Sequence, residues 1–177
     1  GSFLNTTQTV TQNTQTDGVA SVRFTPGLSA GAASIKASAN GDTLFAQTIF
    51  MVTSSELYSL DFTQQGQINL NVANTGGLQS AILRVKLRDI NGNLIDVPQK
   101  VYFKIANTNA PQGANLNGYP QQDSVEVISN GGEAQVSINS GTDSGIVKIQ
   151  ASWVNSDCTR YIYALKTNIV IHSGPPV

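Results

Sequence analysis

The side chains that most often carry out catalysis are rare and scattered in this sequence. It contains one histidine, His172, and one cysteine, Cys158. His172 stands close to Pro175 and Pro176, which predicts a solvated joint, and Cys158 lies in a polar run, residues 155–160, which predicts a stray exposed thiol. Catalysis needs a nucleophile beside a base, or two carboxyl groups in one pocket. The residue content therefore predicts that the chain is not an enzyme.

Metal-binding and crosslinking residues also show no organised spacing. One His and one Cys cannot make a zinc site, and the aspartates that could bind calcium are dispersed: Asp89, Asp96, Asp123, Asp143 and Asp157. We therefore expect no metal and no cofactor. A self-formed isopeptide bond would require a lysine in the core. Three lysines of the strand-like runs fall on the outward side of the alternation, which argues against such a bond: Lys86, Lys104 and Lys148.

Aromatic residues give the sequence its candidates for binding. Trp153 is in register with the apolar residues of its run, which predicts packing in the core. Tyr102, Tyr161 and Tyr163 are better placed for a surface that recognises a glycan or a protein. Tyrosine is also an ordinary residue of an outer strand, so both interpretations stay open.

Composition excludes several other classes of function. Charged residues make up 12% of the chain, hydrophobic residues 40%, and the net charge is −1. A nucleic-acid binder would show a basic stripe with aromatic platforms, and the ten basic residues here are scattered. No apolar run approaches the length that a membrane span requires. We expect neither nucleic-acid binding nor membrane insertion.

Short runs with period-two alternation predict an all-β fold with almost no helix. Four of these runs have apolar residues at every second position, which are predicted to face inward. The sets are Leu83, Val85 and Leu87; Val101, Phe103 and Ile105; Ala134, Val136 and Ile138; and Val147, Ile149, Ala151 and Trp153. Further strands are predicted at 57–62, 67–72, 124–128 and 161–171. Turns at Asn91-Gly92 and Asn130-Gly131 supply residues suited to positive φ. Strands joined this closely are expected to pair antiparallel, as two facing sheets.

The sequence repeats itself 114 residues further along the chain. Residues 18–39 align without a gap to residues 132–153, and eight of the 22 positions are identical, mostly glycines and alternate apolar residues. This period fits one sandwich domain of about 100 residues plus a joint. We predict that residues 1–53 are the C-terminal half of a first repeat, that residues 54–172 are a complete second repeat, and that residues 173–177 are a joint to a following domain.

An incomplete first repeat has a physical consequence. Residues 3–53 could form about four strands with an apolar face but would lack the facing sheet, and a lone half-sandwich is not expected to be stable. Another chain is therefore expected to complete residues 3–53, by strand swapping, by edge pairing or by supplying the missing half.

The segment Leu83–Val97 resembles the strand–turn–strand of bacterial immunoglobulin-like domains of the intimin and invasin type. Asp89, Asn91, Gly92 and Asn93 lie at its turn, where Asp-x-x-Gly-Asn is typical of the family. Two later runs, Gly-x-Ala-x-Val-x-Ile from Gly132 and Gly-x-Val-x-Ile-x-Ala from Gly145, resemble its closing strands. The resemblance implies immunoglobulin-like antiparallel β-sandwich repeats and structural roles for the four turn residues.

The same resemblance implies what the chain does. Such domains form arrays on the bacterial cell surface or in secreted proteins, so we expect a non-catalytic stalk or spacer whose partners are neighbouring immunoglobulin-like repeats. Two alternatives remain: a module that binds a glycan or a host protein, and a subunit of an extracellular filament that assembles by strand exchange.

Overall fold

The computed structural model describes residues 1–3, 7–54, 56–119 and 124–173 and confirms the predicted all-β fold class. All regular structure in these ranges is strand, so they contain no helix that could cross a membrane. The chain divides into two compact units, Gly1–Ser54 and Ser55–Val177, called unit 1 and unit 2 below. The joint predicted at 173–177 falls outside the described residues except for Ser173.

The strands alternate with turns along the whole described chain. Those of unit 1 are β1 (Ser2–Phe3), β2 (Phe24–Thr25), β3 (Gly31–Ala39) and β4 (Leu44–Val52). Those of unit 2 are β5 (Ser59–Phe62), β6 (Ile68–Asn71), β7 (Ser80–Arg88), β8 (Lys100–Ile105), β9 (Asn115–Leu116), β10 (Val125–Ile128), β11 (Glu133–Asn139), β12 (Gly145–Val154) and β13 (Tyr161–His172).

Unit 2 is a sandwich whose core lies between two sheets. The five-stranded sheet has the order β10-β8-β12-β13-β6, and the four-stranded sheet has the order β5-β7-β11-β9. Alternate residues of both sheets point into one apolar layer, because successive side chains of a strand face opposite sides. The inward sets predicted for β7, β8, β11 and β12 all belong to this layer, with Ile105 and Trp153 packed at its margin.

One strand pairing departs from the expectation of a purely antiparallel sandwich. β6 pairs with β13 in parallel, from Ile68 opposite Ile169 to Asn71 opposite His172. β5 and β6 follow each other closely, yet β5 pairs with β7 in the four-stranded sheet while β6 joins the five-stranded sheet. The chain therefore crosses from one sheet to the other between β5 and β6. The parallel strands β6 and β13 are connected through β7 to β12, so their pairing needs no crossover helix.

Unit 1 has strands but no core. β3 and β4 form an antiparallel hairpin in which Gly31 pairs with Val52 and Ala39 with Leu44, and β1 pairs with β2. Phe24 packs against Phe50, with ring centroids 5.1 Å apart. No residue in the described part of unit 1 is buried. Burial of apolar surface is the main force that stabilises folded chains, and this unit provides little of it.

Two pairs of glycines that are 114 residues apart have similar backbone conformations. Gly18 and Gly132 have φ values of +79° and +77°, and Gly31 and Gly145 have φ values of +144° and +151°. β3 begins at Gly31 and β12 begins at Gly145. The division of the chain into an incomplete and a complete repeat stays a prediction.

Candidate functional site

The three tyrosines named from the sequence lie on the outer face of the five-stranded sheet. Tyr163 of β13 is opposite Ser152 of β12, and Ser152 is opposite Tyr102 of β8. Their neighbours along each strand, Ala164, Ala151 and Phe103, face the core, so these three side chains must face outward. We call the outward set Tyr102, Ser152, Tyr161, Tyr163 and Leu165 the tyrosine face.

The β13 part of this face is an exposed aromatic and apolar surface. Tyr161 and Tyr163 are each 57% exposed, and Leu165 is 50% exposed. The two tyrosine rings are 5.9 Å apart between centroids and tilted by 30°. The hydroxyl of Tyr161 accepts a hydrogen bond from the side-chain amide of Gln150, which orients the ring. These rings leave flat surfaces open to a ligand.

The other edge of the face carries a polar network around Glu126. Lys100 Nζ lies 3.0 Å from the Glu126 carboxylate. Hydrogen bonds from Lys100 and then from Tyr102 lower the pKa of Glu126 below its ordinary value. The bond to Glu126 in turn raises the pKa of the Tyr102 phenol. The carboxylate therefore stays ionised and fixes the position of the Tyr102 hydroxyl.

The arrangement is suited to recognition by stacking and hydrogen bonding. Tyr102 and Tyr163 stand two strands apart, which is on the order of 10 Å. The small Ser152 lies between them and is only 8% exposed. Aromatic rings with polar tips combine apolar contact area and hydrogen bonding on one residue. Rings separated by a small residue offer flat contact to a ligand that has both apolar faces and hydroxyl groups.

The turn after β7 is built on one carboxylate. Asp89 is 7% exposed, and its Oδ1 accepts hydrogen bonds from the main-chain N–H groups of Asn91 at 2.9 Å and Asn93 at 2.8 Å. Its Oδ2 accepts a bond of 2.9 Å from the Asn93 side chain. Gly92 has a φ of +84°, a conformation that glycine adopts without steric cost. The four turn residues named from the sequence thus form one structural motif.

The first and last strands of unit 2 place its two chain ends at opposite ends of the sandwich. Where β13 begins, Arg160 lies 2.7 Å from the Glu56 carboxylate and over the ring of Tyr58, both of which precede β5. Where β13 ends, His172 pairs with Asn71. The chain therefore enters unit 2 beside the start of β13 and leaves it at the far end of that strand.

The structure corrects the interpretation of His172 and places Cys158. His172 is the last residue of β13 rather than part of a solvated joint, and its Nε2 lies 2.9 Å from Asn69 Oδ1. The last strand predicted from the sequence ended at residue 171, and His172 was assigned to the joint because of the nearby prolines, whereas the strand includes His172. Cys158 is an exposed thiol in the turn before β13, with a φ of +59°. In the described ranges no three His, Cys, Asp or Glu residues gather as a metal site.

A buried lysine was missed by the sequence reasoning. Lys166 is 4% exposed, and its Nζ donates hydrogen bonds of 2.6 Å to the main-chain carbonyl oxygens of Gln64 and Gly66. Burial lowers the pKa of its ammonium group. The signal was available, because Lys166 follows Ile162 and Ala164 at every second position of β13. It ties the β5–β6 connection to β13, beside a surface cleft of about 410 Å³.

Comparisons with known proteins do not identify a family for this chain. No protein-family model and no curated protein matches the sequence. Two solved structures of glycosyl hydrolase family 2 members from Bacteroides cellulosilyticus are similar to it, each at 16% identity. One match covers 78% of this chain and 17% of the other, with a TM-score of 0.42; the second covers 94% and 22%, with a TM-score of 0.40. This chain spans about a fifth of their length, and similarity this low carries no argument about function.

Proposed function

We propose that this chain is a non-catalytic structural or adhesive module of a bacterial cell-surface or secreted protein, and that unit 2 acts as its spacer. The observation that supports the proposal most is the position of the chain ends of unit 2. Glu56 lies beside the start of β13, and His172 is the end of the same strand. β13 has twelve residues, which at about 3.3 Å per residue separates entry from exit by roughly 35–40 Å.

Entry and exit at opposite ends suit a module that bears load along its length. Tension applied at the two ends pulls β5 along β7 and pulls β13 along β12 and β6. The hydrogen bonds of each pair are then loaded together. Tension applied at one end of two paired strands instead loads their hydrogen bonds one after another. A spacer should therefore resist end-to-end tension better than unzipping.

Single-molecule pulling tests this with two attachment geometries in the full chain. Cys158 is first replaced by Ser. Handles at Glu56→Cys and Ser173→Cys pull unit 2 end to end, whereas handles at Asp143→Cys and Ser173→Cys open β12 from β13. All three handle positions are at the surface of the unit. We expect a rupture force several-fold higher for the first pair, and equal or lower force would contradict a load-bearing spacer.

The tyrosine face supports a second candidate, recognition of a glycan. The observation in its favour is that the fold brings together tyrosines that are 59 to 61 residues apart in the sequence, Tyr102 with Tyr161 and Tyr163, on one outward surface. Sugar rings have apolar faces and a rim of hydroxyl groups, which match exposed rings beside Gln150 and Glu126.

A glycan array on the full chain tests this second candidate. Tyr163→Ala and Tyr102→Ala each remove one ring from the face. Tyr119→Ala is the matched control, since Tyr119 is 53% exposed and lies on the β9 side of unit 2. We expect a glycan signal that is lost in the first two variants and retained in the control. No signal from the unaltered chain, or equal losses in all three variants, would reject the tyrosine face as a glycan site.

A further inference from the structure

The outer face of the five-stranded sheet carries lysines as well as tyrosines. Lys104 of β8 follows the buried Phe103, and Lys148 of β12 follows the buried Val147. Successive side chains of a strand face opposite sides, so both lysines point outward, on the same side of the sheet as the tyrosine face. Both are exposed. We call Lys104 and Lys148 the lysine pair.

This outer face has an excess of positive charge. The ionised side chains that its strands point outward are Lys100, Lys104, Lys148 and Glu126, with His172 counted as neutral. Three lysines against one glutamate give the face a net charge of +2, whereas the whole chain has a net charge of −1. Lysines that are scattered in the sequence are therefore brought to one surface by the strand register.

The lysine pair has no counter-charge among the residues that the structure describes. Lys100 lies 3.0 Å from the Glu126 carboxylate, but neither Lys104 nor Lys148 forms an ion pair there. Lys104 is opposite Gln150, two residues from Lys148 along β12, so the two lysines are diagonal neighbours about 7–8 Å apart. Like charges at this distance repel each other, and an anionic group bound beside both relieves the repulsion.

Gln150 connects the lysine pair with the exposed rings. It is opposite Lys104 on one side and opposite Leu165 of the tyrosine face on the other. Its side-chain amide donates a hydrogen bond to the Tyr161 hydroxyl. Tyr163 and Lys104 are two strands and two residues apart, which is about 12 Å between Cα atoms. An extended ligand of more than one sugar unit spans this distance.

We propose that the tyrosine face and the lysine pair together bind an acidic oligosaccharide. Its sugar rings lie on Tyr161 and Tyr163, and a carboxylate or sulfate group lies beside the lysine pair. This inference rests on the glycan recognition proposed above for the tyrosine face and specifies the class of glycan. The phenol rings supply apolar contact and hydrogen bonds, and each ammonium group has three N–H donors for anionic oxygens. A neutral glycan would leave both charges unused.

The number of free cations favours a glycan over a single-stranded nucleic acid. Both ligands have faces that stack on aromatic rings, but a nucleic acid carries a phosphate at every nucleotide. Proteins bind it through positively charged grooves that follow several phosphates along the backbone. The lysine pair can neutralise one or two anionic groups, which matches an oligosaccharide that is acidic at some of its units.

A glycan array on the full chain tests the class of ligand. The array carries neutral, uronic-acid, sialic-acid and sulfated oligosaccharides, so carboxylate and sulfate groups are distinguished. We expect signals from acidic oligosaccharides alone, weakened several-fold when NaCl is raised from about 0.05 to 0.5 M, because salt screens exposed charges. Equal signals from neutral oligosaccharides would overturn the acidic class and leave glycan recognition by the tyrosine face in place. No signal from any oligosaccharide would overturn both.

Charge variants test whether the lysine pair holds the anionic group. Calorimetric titration with the acidic oligosaccharide that gives the strongest array signal should show affinity lowered about twofold to fivefold by Lys104→Gln or Lys148→Gln and about tenfold by both, as for exposed ion pairs. Lys86→Gln is the matched control. Lys86 lies on the other sheet, 3.7 Å from Glu133, so its replacement removes the same charge away from the site and should leave the affinity unchanged. Unchanged affinity in the double variant, an equal loss in the control, or equally tight binding of single-stranded oligothymidylate would overturn the proposal.

Discussion

Replacement of Asp89 should test how much one side chain contributes to the stability of unit 2. The Asp89 carboxylate accepts hydrogen bonds from the main-chain N–H groups of Asn91 and Asn93 and from the Asn93 side chain. A hydrogen bond to a charged group contributes about 1.5–3 kcal/mol to stability. These bonds share one turn and are not additive. We therefore expect Asp89→Ala to lower the free energy of unfolding by about 3–4 kcal/mol.

Two further variants separate the hydrogen bonds from the mere presence of a polar group. Asp89→Asn keeps one carbonyl oxygen for the two main-chain donors but sets an NH2 group against the NH2 of Asn93. It should cost about 1.5–2 kcal/mol, one charged hydrogen bond and no more. Asp96→Ala removes an exposed carboxylate seven residues along the same connection, and it should change stability by less than about 0.5 kcal/mol.

Urea unfolding followed by the fluorescence of Trp153 measures these differences in unit 2 alone. Trp153 is the only tryptophan of the chain. Its Nε1–H donates a hydrogen bond of 3.0 Å to Gln99 Oε1, and its ring packs at the margin of the core. The role given to the carboxylate would be refuted if Asp89→Ala and Asp89→Asn lowered the free energy of unfolding equally. It would also be refuted if Asp89→Ala lowered it no more than Asp96→Ala does.

Three further predictions concern packing and pH. Gly141→Ala should lower the free energy of unfolding, measured by heat or urea, by more than about 3 kcal/mol, because the added Cβ would lie 1.9 Å from a main-chain oxygen. Gly131→Ala should lower it by about 1–2 kcal/mol, because the added Cβ has open space but the residue has a φ of +57°. Equal losses in the two variants would contradict the steric argument. The pKa of Glu126 is lowered chiefly by its hydrogen bond with Lys100, so the contribution of this pair to stability is lost as pH falls through that pKa. Lys100→Met should raise the pKa of Glu126 in an NMR titration, and an unchanged pKa would disprove the role of Lys100. Burial lowers the pKa of Lys166, so the free energy of unfolding should rise with pH between that pKa and the ordinary pKa of lysine. In Lys166→Met the free energy of unfolding should rise less steeply with pH, and an unchanged slope would contradict the prediction.

The local pattern of the sequence predicted the strands of unit 2 well because β7, β8, β11 and β12 each place one side against a single core. The alternation in Ala81–Arg88 predicts that Leu83, Val85 and Leu87 are buried, and the structure confirms it. Turn chemistry at Asn91-Gly92 likewise depends on adjacent residues alone. These features need no knowledge of what lies across the sheet.

Features that depend on cross-strand neighbours could not be predicted in this way. The parallel pairing of β6 with β13 joins residues about 100 positions apart, and nothing in either strand specifies its partner. Ser152 lies between Ala151 and Trp153 of the predicted inward set and faces outward, yet it is nearly buried because its neighbours on both adjacent strands are tyrosines. Which tyrosines share a face is set by register, and register follows from the assembled core and turns.

One pairing of the two units is alike in position and different in chemistry. Phe45 stands opposite Ser38 in unit 1 as Tyr163 stands opposite Ser152 in unit 2. Ser38 and Ser152 are 114 residues apart, whereas Phe45 and Tyr163 are 118 residues apart, so their equivalence within a repeat stays a prediction. A phenol adds a hydrogen-bonding tip to an apolar ring, and phenylalanine has no such group. Recognition of a polar ligand is therefore proposed for the tyrosine face of unit 2 alone.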